Sequence, residues 1–583
     1  MMEIFENSCN EGCMPKPTIR RSGNHHPNLW SDDFIQSLSS PYGDSSYSKH
    51  REILINELHA IFSTQKEEFS LLERISFVDV LQRLGINRYF QEEINMALDY
   101  IHKYWNHNII GDLNMTALGF RILRVNRYVV SSDVFQKFKG EGGQFSGFGS
   151  SHVDEKLAIM LNLYKASELD FLDEKILKEA RDFAFSYLQQ AMEQYDDVKE
   201  KENPLLMEIE YSLKYAWRTR VPRWEAWNFI QIFRKQSCNG SFVKNIYKIP
   251  NTYSQKLLEL AILDFNILQA QHQSEMKLIS TWWKHSSVIQ LDFFRHRHIE
   301  FYFWWDCSIF EPEYSTTRIG LAKFLTTLSL IDDIYDTYGT IDELRPFTTA
   351  LIRWDISMID NLPDYMKTSF QFTHEIHKEI ASEAERKHGP FVHKYIQSCW
   401  KSYISAYMQE AEWIASNHKP GFDEYLINGV ISAGMRITMI YALLLTNAPL
   451  SDEIMEKLDI PSSRLQALVS LTTRLLDDIK DFEDEKARGE TASSIECYIK
   501  DNPSSTTEDA LNYVTNHIES CVQELNQEFL KPSDIPDYCR KVYFNGGIRG
   551  IFFLFKDVDG FTFSHQKEIR DAITKILMEP IMP

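Results

Sequence analysis

Cysteine is scarce: eight in 583 residues, none forming a CxxC pair, which leaves neither a zinc ribbon nor the disulfide framework of a small secreted protein. Glycine and proline are also few, 23 and 19, so collagenous and low-complexity architectures are excluded and long helices have room to form. Basic charge is in deficit, with 62 Lys and Arg against 83 Asp and Glu and a formal charge of −21. Such a surface does not suit nucleic acid or an anionic membrane, although an anionic substrate remains open if metal ions mediate. No apolar run reaches the roughly 20 residues that span a bilayer; the longest, Gly429 to Leu445, carries Arg436 inside it. The glycine-rich stretch from Gly140 to Ser151, GEGGQFSGFGSS, has no GK[ST] and follows no strand pattern, so it reads as a connector rather than a phosphate loop. No alternating run marks a strand, and no fixed period marks a solenoid.

What is present is helical and sizeable. Hydrophobic residues make up 43% and charged residues 25%, values near those of soluble globular proteins, and at a prior of about 150 residues per domain the length suggests more than one domain, with two or three expected. Residues 1 to 30 are polar, with Pro15, Pro17 and Pro27, and read as an extended arm. Met1 to Arg21 carries Glu3, Glu6 and Glu11, without the apolar core of a secretory signal or the acid-poor character of a transit peptide, which points to the cytosol. Beyond the arm, Leu54, Leu58 and Ile61 recur at i, i+4, i+7, as do Ile94, Leu98 and Ile101, the spacing of a buried helix face. A polar loop from Ser237 to Asn251 separates two helical stretches of similar size. It divides the expected all-α chain into the arm 1–30, a helical domain 31–245 and a second helical domain 246–583.

Three clusters carry chemistry. Ile331 to Asp336, IDDIYD, follows a largely apolar run and places Asp332 and Asp336 one turn apart on one helix face, about 6 Å along the axis. The segment is either a solvated helix end or a site for a divalent cation, and hard oxygen ligands favour Mg²⁺ or Mn²⁺. Arg474 to Glu485, RLLDDIKDFEDE, repeats the device: Asp477, Asp481 and Glu485 form an acidic stripe that drifts about 40° per step. Lys480, Lys486 and Arg488 suit a solvent face, yet the stripe grows from the apolar segment Leu465 to Leu476. Arg295 to Glu300, RHRHIE, precedes the aromatic run Phe301 to Trp305. Two arginines two positions apart can hold a multiply charged anion through bidentate hydrogen bonds, and aromatic faces can stabilise a cation. Taken singly, an aromatic run is usually core and an RxR pair usually surface; together with two acidic helices they suit a pocket that ionises an allylic diphosphate.

These residues resemble plant terpene synthases of the class I, ionisation-initiated type, nearly end to end. The resemblance rests on RRSGNHHPNLW with Arg20, Arg21 and Trp30 (an RRx8W pattern), TALGFRILRVNRYVVSSDVF from Thr116, RHRHIEFYFW, EPEYSTTR from Glu311, DDIYD, and DDIKDFEDE followed by KARGE. It implies a C-terminal class I terpenoid synthase fold behind an N-terminal helical, barrel-like domain without an active site. No DxDD occurs in the N-terminal half to serve a protonation-initiated reaction. It further implies that Asp332 and Asp336 bind two Mg²⁺ ions with Asp333 as an outer partner, and that Asp477, Asp481 and Glu485 bind a third. Arg295, Arg297 and Arg474 would grip the diphosphate, and Trp304 would face the migrating cation while Phe303 and Trp305 pack in the core. Arg20 and Arg21 would fold over the closed site, and Gly434 would interrupt a helix beside the pocket.

Two positions depart from the family. Asp481 stands where Ser or Thr is usual, making a second DDxxD that could give a second mode of diphosphate docking, as in a conifer subgroup of humulene- and longifolene-type sesquiterpene synthases. Phe561, in DVDGF after Asp559, stands where many members have Tyr. The implied activity is a monomeric, cytosolic sesquiterpene synthase that converts farnesyl diphosphate into a C15 olefin, with Mg²⁺ or alternatively Mn²⁺. Three other activities stay open: a monoterpene synthase using geranyl diphosphate, favoured by the intact Arg20-Arg21 pair; a chain-elongating prenyltransferase; and a non-catalytic helical binding protein.

Overall fold

The computed structural model describes residues 25–65, 69–105, 112–146, 152–195, 203–239, 251–488, 492–557, 561 and 567–582. Among these residues the regular structure is helical, and the β pairing is a single antiparallel bridge between Lys139 and Phe145. Local chemistry starts many of the helices. Ser70 caps Leu71–Arg83 in a reciprocal box with Glu73, Asp112 accepts from the Met115 amide at the head of Leu113–Val125, and Asn203 followed by Pro204 opens Pro204–Lys214. Each satisfies an amide that has no partner inside the helix.

Helix faces then assemble two cores. Leu54, Leu58, Ile94, Leu98 and Ile101 are buried in the first, with Ile61 partly buried against it, which realises the periodicity in the sequence. Trp305, Tyr302, Leu330 and Tyr441 lie in the second. The cores are joined by one 34-residue helix, Asn251–Lys284, about 50 Å long at 1.5 Å per residue. Its Tyr253, Leu257, Leu260 and Phe265 pack in the first core, and its Met276, Ile279 and Trp283 in the second. The expected boundary at 245/246 falls outside the described residues. Trp30, Ile35, Tyr215 and Trp224 from the amino-terminal side belong to the second core, and Ile581 from the other end returns to the first. Gln269 and Gln273 of the joining helix donate to the carbonyls of Ile576 and Leu577 at 2.9 and 3.0 Å.

The longest apolar run behaves as core. Phe422–Leu445 has the length and composition of a membrane-crossing segment, but it breaks at Gly434, φ +73°, into Phe422–Ser432 and Met435–Leu445. The second piece is wholly buried. Arg436, the charge inside the run, is neutralised by Asp459 through two hydrogen bonds of 2.7 Å, as a buried guanidinium requires.

Candidate active site

The helix Ser315–Asp333 is anchored far from its acidic end. Arg318, fully buried, pairs with both oxygens of Glu275 at 2.7 and 2.9 Å and donates to the carbonyls of Ile309 and Glu311. At its other end the α-helix widens into the π turn Ile334–Tyr338, which contains Asp336. Gly339 closes that turn through its amide to Ile334 O, 2.8 Å. A side chain at Gly339 would put its Cβ 2.7 Å from that same carbonyl oxygen, so the close approach needs glycine.

Asp332, Asp333 and Asp336 from this helix, and Asp477 and Asp481 from Arg464–Arg488, line one cavity of about 270 Å³. Arg295 and Arg474 line it too, as do Trp304, Phe301, Phe555 and Phe561. Arg295 pairs with Asp332 and presents its backbone amide to Asp333 at 2.8 Å. Tyr407 donates its phenol to the other Asp332 oxygen at 2.5 Å. Burial, with the neighbouring Tyr403 and Asp336, holds that phenol far above its ordinary pKa, so it stays a donor. Asp333 is committed elsewhere: besides Arg295 it meets His25 Nε2 at 3.2 Å. Burial opposes its ionisation, but the Arg295 guanidinium and His25 outweigh that and hold its carboxyl below the usual value.

The second acidic helix divides its labour in the same way. Arg474 pairs with Asp477 and reaches Asp478 at 2.9 Å. Asp478 is fully buried and does not line the cavity; it accepts from the Tyr425 phenol at 2.7 Å and the Ser494 amide at 2.9 Å, which fixes the neighbouring helices around the site. The Glu485 side chain lies outside the described residues, as do Arg20, Arg21 and Asp559.

The donor chemistry fits a divalent ion of the Mg²⁺ type. Among the described residues no three acidic, His or Cys side chains converge into a cage, whereas five carboxylates from two helices share one cavity. Mg²⁺ characteristically takes one or two carboxylates per ion and fills its octahedron with water and substrate phosphate, so an open set of this kind suits it.

The aromatic helix His298–Ser308 is buried along its whole length. Trp304 lines the cavity and donates Nε1–H to Gly546 O at 2.8 Å; Phe303 and Trp305 are fully buried in the core beside it. Phe561 packs on Phe301 and Trp304 with centroid separations of 5.0 and 6.0 Å. Arg297 does not line the cavity. Its guanidinium donates to Phe561 O and His26 O, both at 2.8 Å, and so ties the amino-terminal arm to the 561 segment. Trp30 secures the same arm through Nε1–H to Glu300 at 3.1 Å; burial raises the Glu300 carboxyl above its ordinary pKa.

Sequence reasoning missed Glu410, which lines the cavity and accepts from Ser432 Oγ at 2.6 Å and Asn428 Nδ2 at 3.0 Å. Burial raises its pKa against the pull of Arg474. The available signal was spacing: Tyr403, Tyr407 and Glu410 recur at i, i+4, i+7 on Val392–Ser416, one helix face that points a base-like group and two phenols the same way.

Residues 284–524 match the family model described as terpene synthase family, metal binding domain, and residues 29–213 match the terpene synthase N-terminal domain. The chain belongs to the terpene synthase family. This terpene synthase is 47% identical over 583 residues to sesquiterpene synthase Cad of Chamaecyparis formosensis, with 96% of each chain covered. It is 44% identical over 574 residues to alpha-humulene synthase of Picea glauca, covering 96% of this chain and 97% of that one. Among solved structures, isoprene synthase of grey poplar, Populus x canescens, in complex with three Mg²⁺ ions and dimethylallyl-S-thiolodiphosphate, superposes with a TM-score of 0.80 at 31% identity, covering 95% of this chain and 100% of that one. The chain is therefore an all-α, two-domain terpene synthase, a metal-dependent lyase acting on prenyl diphosphates.

Proposed function

We propose that this terpene synthase is a sesquiterpene synthase that ionises farnesyl diphosphate and releases a C15 olefin and diphosphate. One observation carries the reading: a single cavity combines six carboxylates and two arginines with an aromatic lining. The C15 chain length is supported by near full-length similarity to two conifer proteins, a sesquiterpene synthase and an alpha-humulene synthase.

In this reading Asp332 and Asp336 hold two Mg²⁺ ions and Asp477, Asp481 and Glu485 a third, with Mn²⁺ as an alternative ion. When bound, the ions would supply positive charge against the departing diphosphate. Arg295 and Arg474 add positive charge at the same place; Arg295 pairs with Asp332 and Arg474 with Asp477. The allylic C–O bond breaks, its electron pair leaves with diphosphate, and the cation cyclises and rearranges against Trp304, Phe301 and Phe561 before losing a proton. Those side chains keep water from the cation, which would otherwise be quenched to an alcohol. Arg297 acts on the diphosphate side through the segments it ties together, and Arg20 and Arg21 complete the cover. Cytosolic location, supported by the three glutamates within residues 1–21, and a monomeric state belong to the same proposal.

The test is gas chromatography with mass detection on the purified chain, given farnesyl or geranyl diphosphate with Mg²⁺ or with chelator. Metal-dependent C15 hydrocarbon from farnesyl diphosphate is expected. Efficient C10 formation with little C15 overturns the substrate assignment, and consumption of isopentenyl diphosphate would identify a chain-elongating enzyme instead.

A further inference from the structure

Gly546 and Gly550 lie four residues apart on the π-helical segment Val542–Gly550, which packs beneath the aromatic helix. Neither has a positive φ, so these glycines serve space rather than torsion. A Cβ at Gly550 would stand 2.4 Å from Nε1 and 2.6 Å from Cδ1 of Trp304, and one at Gly546 would stand 2.3 Å from Cζ3 of Trp305. An indole is rigid and both rings are buried in the core, so each can yield only by shifting as a whole. The Gly546 carbonyl also accepts the Trp304 Nε1–H at 2.8 Å. One edge of the Trp304 indole is thus pressed against bare backbone and hydrogen-bonded to it, while the same indole lines the cavity.

We propose that Gly550, with the Gly546 carbonyl, is a specificity-determining seat that sets how far Trp304 stands into the cavity, and thereby which carbocation the pocket favours. The inference rests on the proposed carbocation chemistry of the cavity. A methyl group at Gly550 needs about 1 Å more room to reach ordinary carbon contact distance, and the indole must move by about that much. Cation–π attraction depends on the distance from charge to ring and acts within about 6 Å of the centroid. The displacement therefore reweights competing cations that carry their charge at different carbons. The neighbouring Gly547 provides a control: the three atoms nearest its Cβ would be Met439 Sδ at 3.1 Å, Val469 Cγ1 at 3.2 Å and Met439 Cε at 3.7 Å, none of them from Trp304.

The experiment compares wild type, Gly550→Ala, Gly547→Ala, Trp304→Phe and the double variant Gly550→Ala/Trp304→Phe, all given farnesyl diphosphate and Mg²⁺. Product ratios are read by gas chromatography, diphosphate release by a coupled assay and folding by circular dichroism. Gly550→Ala is expected to move the ratio of the two main products about threefold or more, the scale to which a cation–π contact converts, and to move it further than it moves the rate of diphosphate release. Gly547→Ala should keep the wild-type ratio, and Gly550→Ala should shift the ratio less in the Trp304→Phe background than in wild type, because Phe lacks the indole Nε1 that stands closest to the new carbon. A wild-type ratio in Gly550→Ala, an equal shift in Gly547→Ala, or an undiminished shift on adding Gly550→Ala to Trp304→Phe overturns the seat. Should Gly550→Ala alone fail to fold, a folded double variant supports the proposal and an unfolded one overturns it. A wild-type protein that yields no C15 product removes the carbocation chemistry on which the seat depends, an outcome distinct from unchanged ratios in an active enzyme.

Discussion

Tyr407→Phe removes a single oxygen from the wall of the site and leaves the ring that packs 4.9 Å from Tyr403 and 5.6 Å from Tyr335, centroid to centroid. The lost group is the donor to Asp332 at 2.5 Å. A hydrogen bond to a charged acceptor contributes about 1.5–3 kcal/mol, which converts to about tenfold to a hundredfold in an equilibrium. The same range applies when a partner that orients a metal ligand is removed. A second effect has the opposite sign, since a carboxylate relieved of its donor becomes a slightly stronger base for a cation. Orientation wins because Asp332 is also paired with Arg295; without Tyr407 its carboxylate can rotate to satisfy that guanidinium fully. The Mg²⁺ concentration giving half-maximal turnover should therefore rise about tenfold to a hundredfold, with the melting temperature changed far less than by a cavity-forming substitution. Metal titrations at saturating farnesyl diphosphate, run beside thermal circular dichroism, measure both. An unchanged or tighter Mg²⁺ response would refute the orientation argument.

Asp332→Ala should abolish product formation while the chain stays folded, and wild-type turnover in that variant would remove Asp332 from the metal set. Asp481→Ser should keep activity but change the Mg²⁺/Mn²⁺ preference or the product mixture; unchanged metal and product profiles would deny Asp481 a special role. Gly434→Ala forces a side chain onto a residue at φ +73° with Tyr403 Cε2 3.3 Å from the new carbon, a cost of about 1–2 kcal/mol, so its melting temperature should fall by a few degrees, and no fall would contradict the backbone assignment. Burial raises the Glu300 pKa from 4.5, so the folded chain keeps that proton to higher pH than the unfolded chain, and stability declines as pH rises through the folded pKa. Glu300→Gln retains an acceptor for Trp30 but cannot ionise; its melting temperature should match wild type below the ordinary glutamate pKa and exceed it increasingly as pH rises through the raised folded pKa, whereas a gap that closes with rising pH would contradict the assignment.

The parts of the molecule that were legible in the sequence are those set by local spacing. The i, i+4 recurrence of Asp332 with Asp336, and of Asp477 with Asp481, marked four carboxylates in the sequence, and all four line the cavity. The same periodicity located buried positions such as Leu58 and Leu98. Arg297 was read beside Arg295 as one gripping pair, yet successive odd positions at the mouth of a helix diverge, and its guanidinium reaches backbone 264 and 271 residues away. Contacts across such separations leave no mark on spacing. Nor did the π turns: Asp336 sits in one and Gly546 in another, and neither departs from an ordinary helical pattern of residues. Glu410 escaped because it belongs to no acidic cluster and takes its significance from what faces it.

The helix Asn251–Lys284 has a bearing on recombination between relatives. A chimera that joins the first half of one synthase to the second half of another at the polar loop would inherit Tyr253, Leu257 and Phe265 from the second parent inside a core supplied by the first. Trp30, Tyr215 and Trp224 would make the reverse mismatch in the other core. The unit that can be exchanged without a foreign seam is therefore larger than either half: a donor segment must bring its own partners from the arm, the joining helix and Ile581 together.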